Sequence, residues 1–173
     1  MKPVDQTIFK KDLGDCARAC IASIFDCPIE DVPNFWEQTQ DADTFWRLNN
    51  EWLSEKKGFR LVPIAIETGS EHILGGVLCI AIGRTGRGSE DHAVVWRDGI
   101  VHDPNPSRTG LVGDPDVFVL IVPVNHDEAF WFSGLLEAAV KTLRDNRHLT
   151  DGDECTLREL RDVVFKIKPD WEA

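Results

Sequence analysis

The chain has 173 residues, enough for one domain with an appendage. At that size about two-thirds of the unfolded surface is buried on folding, so neither disulfides nor a metal is required. With 30 acidic and 19 basic residues the net charge is −11, which argues against nucleic acid or an anionic membrane as partner, since both ask for a basic face.

The first fifteen residues show no hydrophobic period. Cys16, Ala19, Cys20 and Ile24 then fall on helical spacing and predict a helix from Cys16 to Phe25, with Asp15 as its N-cap candidate. Pro28 and Pro33 bound a short turn. A second helix is expected over Asp43 to Lys57, with Phe45, Leu48, Trp52 and Leu53 as its apolar stripe and Gly58 as its C-cap. Short runs rich in Val and Ile follow and read as strands: Phe59 to Ile66, Gly76 to Ile82, His92 to Arg97, Ile100 to Asp103 and Val117 to Val124. Asp98-Gly99 signals a tight hairpin between two of them. Gly83 to Ser89 reads as a Gly/Arg-rich loop at the rim of a cleft, without the ending of a phosphate-binding loop.

Beyond Asn125 the pattern turns helical. One amphipathic helix is expected over Ala129 to Arg144, and Thr156 to Glu159 forms a capping box that opens another, reaching about Lys166. Helices, then strands, then helices predict an α+β fold with an antiparallel sheet. Two units are expected, 1–125 and a helical extension over 126–173. The apolar faces of that extension need a partner, either the sheet or a second copy in a homodimer.

The N-terminus lacks the basic-then-apolar pattern of an export signal, and no apolar run approaches the roughly 20 residues of a membrane span. The cysteines are Cys16, Cys20, Cys27, Cys79 and Cys155, an odd count that points to reduced thiols in a cytoplasm. No C-x-x-C pair is present, so no metal is expected, and no motif calls for a cofactor. Cys20, Cys27 and Cys79 read as core residues. His72, His126 and His148 lie in polar surroundings and read as solvated. Trp36, Trp46, Trp52 and Trp131 lie near helical stripes and read as core.

Three features carry chemistry together. Cys16 stands at a predicted helix start, where unpaired backbone N–H groups and the positive helix end favour thiolate. If Asp98-Gly99 forms a two-residue turn, Arg97 pairs with Ile100, Trp96 with Val101 and Val95 with His102. His92, Val94, Trp96, Val101, Asp103 and Asn105 then share one face. Asp103 lies diagonally from His92, at a backbone distance of about 7–8 Å that side chains bridge, while His102 faces the other way. This parity selects His92 with Asp103 as a coupled imidazole–carboxylate pair and places Trp96 beneath the cleft. Asn105, directly opposite His92, is a second candidate orienter. A three-residue turn or a bulge inverts the parity. The third feature is Gln6, an amide donor suited to an oxyanion hole with the Cys16 backbone N–H.

Gly14-Asp15-Cys16-Ala17-Arg18-Ala19-Cys20 resembles the nucleophile segment of papain-like cysteine peptidases. It is most similar to the bacteriocin-processing (double-glycine leader) peptidases, whose helix starts Asp-Cys-Gly-x-x-Cys. His92-Ala93-Val94-Val95 and Asp103-Pro104 resemble the histidine strand and the Asp-Pro of that family. The opening Lys2-Pro3-Val4-Asp5-Gln6-Thr7 is similar to small proteins of bacteria and their phages. The resemblance spans roughly residues 1–125 and implies a papain-like fold, with the nucleophile helix packed on the sheet. It implies Cys16 as nucleophile, His92 as general base and then acid, Asp103 as orienter and Gln6 as oxyanion donor. Two departures stand out. The family's glutamine lies closer to the cysteine, where this chain has Lys10, and Ala17 replaces the glycine after the cysteine.

The expected activity is amide-bond hydrolysis through a thioester, on a peptide or protein substrate, with deamidation and acyl transfer open to the same triad. The alternative is a catalytically silent binding protein of the same fold, such as a phage-encoded protein that sequesters a host factor.

Overall fold

The computed structural model describes residues 1–10, 13–65, 74–86 and 91–124. The expectations for the C-terminal helices, the homodimer contact and the second unit lie outside the described residues. So do those for His72, His126, His148, Trp131, Cys155 and residues 87–89 of the Gly/Arg-rich loop; Gly83 and Arg84, expected in that loop, are instead the end of a strand, paired with His92 and Asp91.

The architecture is α+β. Helix α1 (Cys16–Ile24) is followed by a 3-10 turn (Ile29–Asp31), a short α2 (Phe35–Thr39) and a long α3 (Ala42–Lys57). Strands β1 (Phe59–Ile64), β2 (Cys79–Arg84), β3 (Asp91–Trp96), β4 (Ile100–His102) and β5 (Val117–Pro123) complete it. They form one antiparallel sheet in the order β1-β5-β2-β3-β4. The expected strands are all present with shifted ends. The turn between Pro28 and Pro33 contains the 3-10 segment, and α2, too short to show a period, was not anticipated.

Local chemistry sets the helix ends. Asp41 caps α3 by accepting the Thr44 N–H at 2.9 Å. Gly58 takes the left-handed conformation (φ 73°) that ends it, with Lys56 and Lys57 in the last turn. The buried face of α3 is Phe45, Asn49 and Leu53, so an asparagine sits inside the apolar stripe, and Leu48 and Trp52 are only half-buried. The neighbouring Asn50 acts as a substitute strand partner for the sheet edge: its Oδ1 accepts the Leu61 N–H at 2.6 Å and its Nδ2 donates to the Leu61 carbonyl at 3.0 Å.

One face of the sheet, with Leu61, Ile80, Ala93, Val95 and Val119, packs on α1 and α3 through Ala19, Cys20, Ala22 and Leu53. The other face carries Cys79, Ala81, Val94, Phe118, Leu120 and Val122. Cys79 belongs to this second cluster, where burial pushes its thiol up to about 12. Trp96 packs there too, edge-to-face on Phe118 with ring centroids 5.6 Å apart. The expectation that Trp96 underlies the cleft is therefore corrected: it packs with Val94 and Phe118 in the second cluster and is not among the residues lining the cleft. Trp36 is also corrected, since it is half-buried and lines the cleft; Trp46 lines the cleft too while packing against the core cluster.

The β3–β4 hairpin departs from the expected turn twice, and the departures cancel. Trp96 pairs with Ile100, so Arg97-Asp98-Gly99 is a three-residue loop, with Asp98 left-handed at φ 57°. A bulge then inserts Val101, and Val95 pairs with His102 as a two-residue turn would have given. The extra loop residue and the extra strand residue restore the parity beyond the bulge. Val101 is left 46% exposed on the sheet edge instead of sharing the His92 face.

Candidate active site

Cys16 is the first residue of α1, and its sulfur lies against the start of β3. The backbone N–H groups of Ala93, Ala17 and Cys16 itself lie near enough to favour its thiolate. Burial raises the thiol above its ordinary 9.0, the amides pull it back, and the nearby Asp15 charge raises it again. The net direction is upward, so the amides alone do not make a thiolate. A proton acceptor is needed, and His92 lines the same cleft. By contrast Cys20, one turn further along α1, is sealed in the core and held well above its ordinary value by burial.

His92 is 4% exposed at the second position of β3, and its Nε2 lies 2.7 Å from Asp103 Oδ1. Asp103 follows directly on β4, beyond the compensating bulge. Its carboxylate also accepts the Asn105 N–H on Oδ1 and the Gly110 N–H on Oδ2, both at 2.8 Å. Burial works to raise this carboxyl, but the His92 contact and the two amides outweigh it and hold it below 3.8. Asp103 therefore carries negative charge through the neutral range and fixes Nε2–H as the donor, leaving Nδ1 as the basic ring nitrogen. Asn105 is not the orienter: its side-chain oxygen accepts the Ser107 N–H at 3.0 Å and the Ser107 hydroxyl at 2.8 Å, shaping the turn. His102 faces away, as parity requires, with Nε2 2.9 Å from the Val4 carbonyl.

The loop that feeds Asp103 is itself fastened. Arg108 donates to the Asp103 carbonyl and pairs with Asp5 at 2.6 Å. Gly110 adopts φ +66°, and a Cβ there would meet Ile100 Cδ1 at 2.9 Å. We expect Gly110→Ala to cost about 1–2 kcal/mol, as left-handed backbone does for residues with a Cβ. A urea midpoint unchanged from wild type would show that the loop tolerates a side chain.

Gln6 reaches the cleft by a route the sequence left open. Residues 1–8 run beside α1 and Pro104: the Val4 N–H donates to Ser23 Oγ at 2.9 Å, and the Gln6 N–H to the Pro104 carbonyl at 2.9 Å. Asp15 holds the expected N-cap position, but its side chain makes no cap bond. It is needed elsewhere: its fully buried carboxylate accepts the Thr7 and Ile8 N–H groups and the Thr7 hydroxyl, at 2.8 to 2.9 Å. Arg18 closes the cluster 3.4 Å from Asp15 and donates to the Val32 carbonyl at 2.6 Å. This clamp sets Gln6, 8% exposed, into the cleft wall across the longer connection to Cys16. Gln6 Nε2 donates to the Ile8 carbonyl at 3.0 Å, which leaves its second N–H, and Oε1 is buried without a partner among the described residues. Lys10 also lines the cleft.

The cleft has a volume of about 920 Å³, within the range of small-molecule and peptide sites. Cys16, His92, Gln6 and Asn105 share it with an aromatic wall from α2 and α3 that sequence reasoning assigned to the core. The signal for that wall was Asn49, a polar residue one turn from both Phe45 and Leu53 on a buried face. Among the described residues no group of three or more His, Cys, Asp or Glu is placed to hold a metal. Nor, among them, is any helix long and apolar enough to cross a membrane. No protein-family model, curated protein or solved structure matches the chain.

Proposed function

We propose that the protein is a cysteine-dependent amide-bond hydrolase of papain-like fold, with Cys16, His92 and Asp103 as its triad. The reading rests most on the 2.7 Å His92–Asp103 contact, made at the cleft that Cys16 lines. It draws further support from the helix-first order and from the Ala93 amide at the sulfur.

In this mechanism His92 Nδ1 takes the Cys16 proton as the sulfur attacks the amide carbonyl. The Cys16 N–H and a Gln6 Nε2–H stabilise the oxyanion. His92 passes its proton to the leaving nitrogen as the C–N bond breaks, giving a thioester. Water, deprotonated by His92, then attacks the thioester, and the proton returns to the thiolate as the acid leaves. Asp103 stays ionised and supports the imidazolium. A side-chain amide as substrate would give deamidation, and an amine in place of water would give acyl transfer.

The test is incubation with a mixed peptide library in ¹⁸O-water, beside Cys16→Ala. The expected result is new peptide termini or carboxylates carrying ¹⁸O only with the wild-type chain. Identical product sets from both would overturn hydrolysis and favour the silent binding protein, a reading to which the Gln6–Ile8 contact lends some support by occupying one of the oxyanion donors.

A further inference from the structure

Helix α2 buries none of its residues, yet it begins Phe35-Trp36. Two large apolar side chains on a five-residue helix are not there to fill a core; both line the cleft that holds Cys16 and His92. The helix is held in place by Asn34, which accepts the Glu37 N–H, and by a left-handed Gln40 (φ 50°). Behind it, α3 contributes Phe45 and Trp46. Trp36 stands edge-to-face on Phe45 at 5.5 Å and Phe45 on Trp46 at 5.0 Å, so the rings brace one another into a continuous wall.

Asn49 gives that wall a polar mark. It is 2% exposed and lines the same cleft. Its Nδ2 is committed to the Phe45 carbonyl at 2.9 Å, which fixes the amide's orientation. No donor reaches its Oδ1 among the described residues. An open acceptor on a buried side chain within an aromatic wall is suited to a flat apolar group with an N–H or O–H at its tip. Phe35, Trp36, Phe45 and Trp46 carry no charge, and Arg18, on the same cleft, is engaged by Asp15 and the Val32 carbonyl.

We propose that the α2–α3 wall is a specificity subsite for a substrate residue with an aromatic body and a donor tip, a tyrosine or a tryptophan. It would lie beside the amide attacked by Cys16, a placement that presupposes the hydrolase reading. The aromatic body packs against Phe35, Trp36 and Phe45, and the phenol or indole hydrogen donates to Asn49 Oδ1. Phenylalanine fits the same wall but leaves that acceptor unpaired, which is how such a site discriminates.

The probes are iodoacetamide, N-iodoacetyl-phenethylamine and N-iodoacetyl-tyramine, with Cys16 alkylation rates followed by mass spectrometry. We expect both aromatic reagents to label Cys16 about tenfold faster than iodoacetamide, and the tyramine reagent to exceed its phenethyl analogue by a further factor of about three to ten. Trp36→Ala should reduce the first advantage, and Asn49→Leu should abolish the second. The comparison within the wild-type chain decides the matter even if Asn49→Leu fails to fold. Equal rates for all three reagents, or a phenethyl reagent as fast as the tyramine one, would overturn the subsite. If that happens while iodoacetamide labelling still depends on His92, the subsite fails and the hydrolase reading stands. Aromatic acceleration without His92 dependence would support the subsite in a protein that binds but does not cleave.

Discussion

Replacing His92 with alanine should slow Cys16-dependent amide cleavage by about 10²- to 10⁴-fold, the range a positioned general acid–base supplies. The large effect follows from the state of the thiol. Burial holds Cys16 above 9.0, and the amides of Ala93 and Ala17 only partly offset it. Without His92 no imidazole remains among the residues lining the described cleft to take the proton and return it to the leaving amine. Circular dichroism of the variant should be unchanged, because His92 lies at the second position of β3, outside both apolar clusters. A variant with wild-type turnover would remove His92 from the mechanism.

Asp103→Asn is the second large effect, and it acts on both activity and stability. The asparagine can present an NH₂ where Oδ1 now meets His92, which selects the wrong imidazole tautomer and should cost about 10²- to 10⁴-fold in turnover. It also places an amide nitrogen against one of two backbone donors, Asn105 N–H or Gly110 N–H. One buried donor is then unpaired, at a cost of about 1–3 kcal/mol. The pH dependence has a definite sign. The folded carboxyl lies below its ordinary 3.8, so its contribution is fully present above that value and is lost as pH falls through the lower folded value. Urea midpoints measured from neutral pH downward should therefore converge for wild type and Asp103→Asn at the acid end. A gap that stays constant with pH would show that the charge of Asp103 contributes nothing.

The sequence pattern made the elements and the His92–Asp103 pairing legible because both follow from short-range rules. Strand alternation and one turn signal were enough to put Asp103 within reach of His92. The actual turn is a residue longer, and only the bulge at Val101 restores the parity. Nothing in the sequence announces that compensation; it depends on how β4 meets the sheet edge. Asp15 shows a different limit. Its position matched a helix cap, but the chain folds residues 7–8 back over it, and three donors from that segment outcompete the helix N–H groups. Long-range contacts of this kind also carry Gln6 into the cleft wall.

The aromatic wall is hidden from the sequence for a related reason. Helical spacing shows that Trp36 and Trp46 share a face with other apolar residues, but it cannot tell a face that meets the core from one that meets a cleft. Asn49 distinguishes the two, since a polar side chain on a buried stripe needs a local explanation.

The most direct measurement is the pH–rate profile of Cys16 alkylation by iodoacetamide, in wild type and in His92→Ala. If His92 accepts the thiol proton, the wild-type rate should rise through the imidazole range, about pH 6 to 7, well below the ordinary thiol value of 9.0. In His92→Ala the inflection should lie above 9.0, the direction in which burial and the Asp15 charge push this thiol. Superimposable profiles with a single inflection above 9.0 would show that Cys16 is an ordinary buried thiol and contradict the triad.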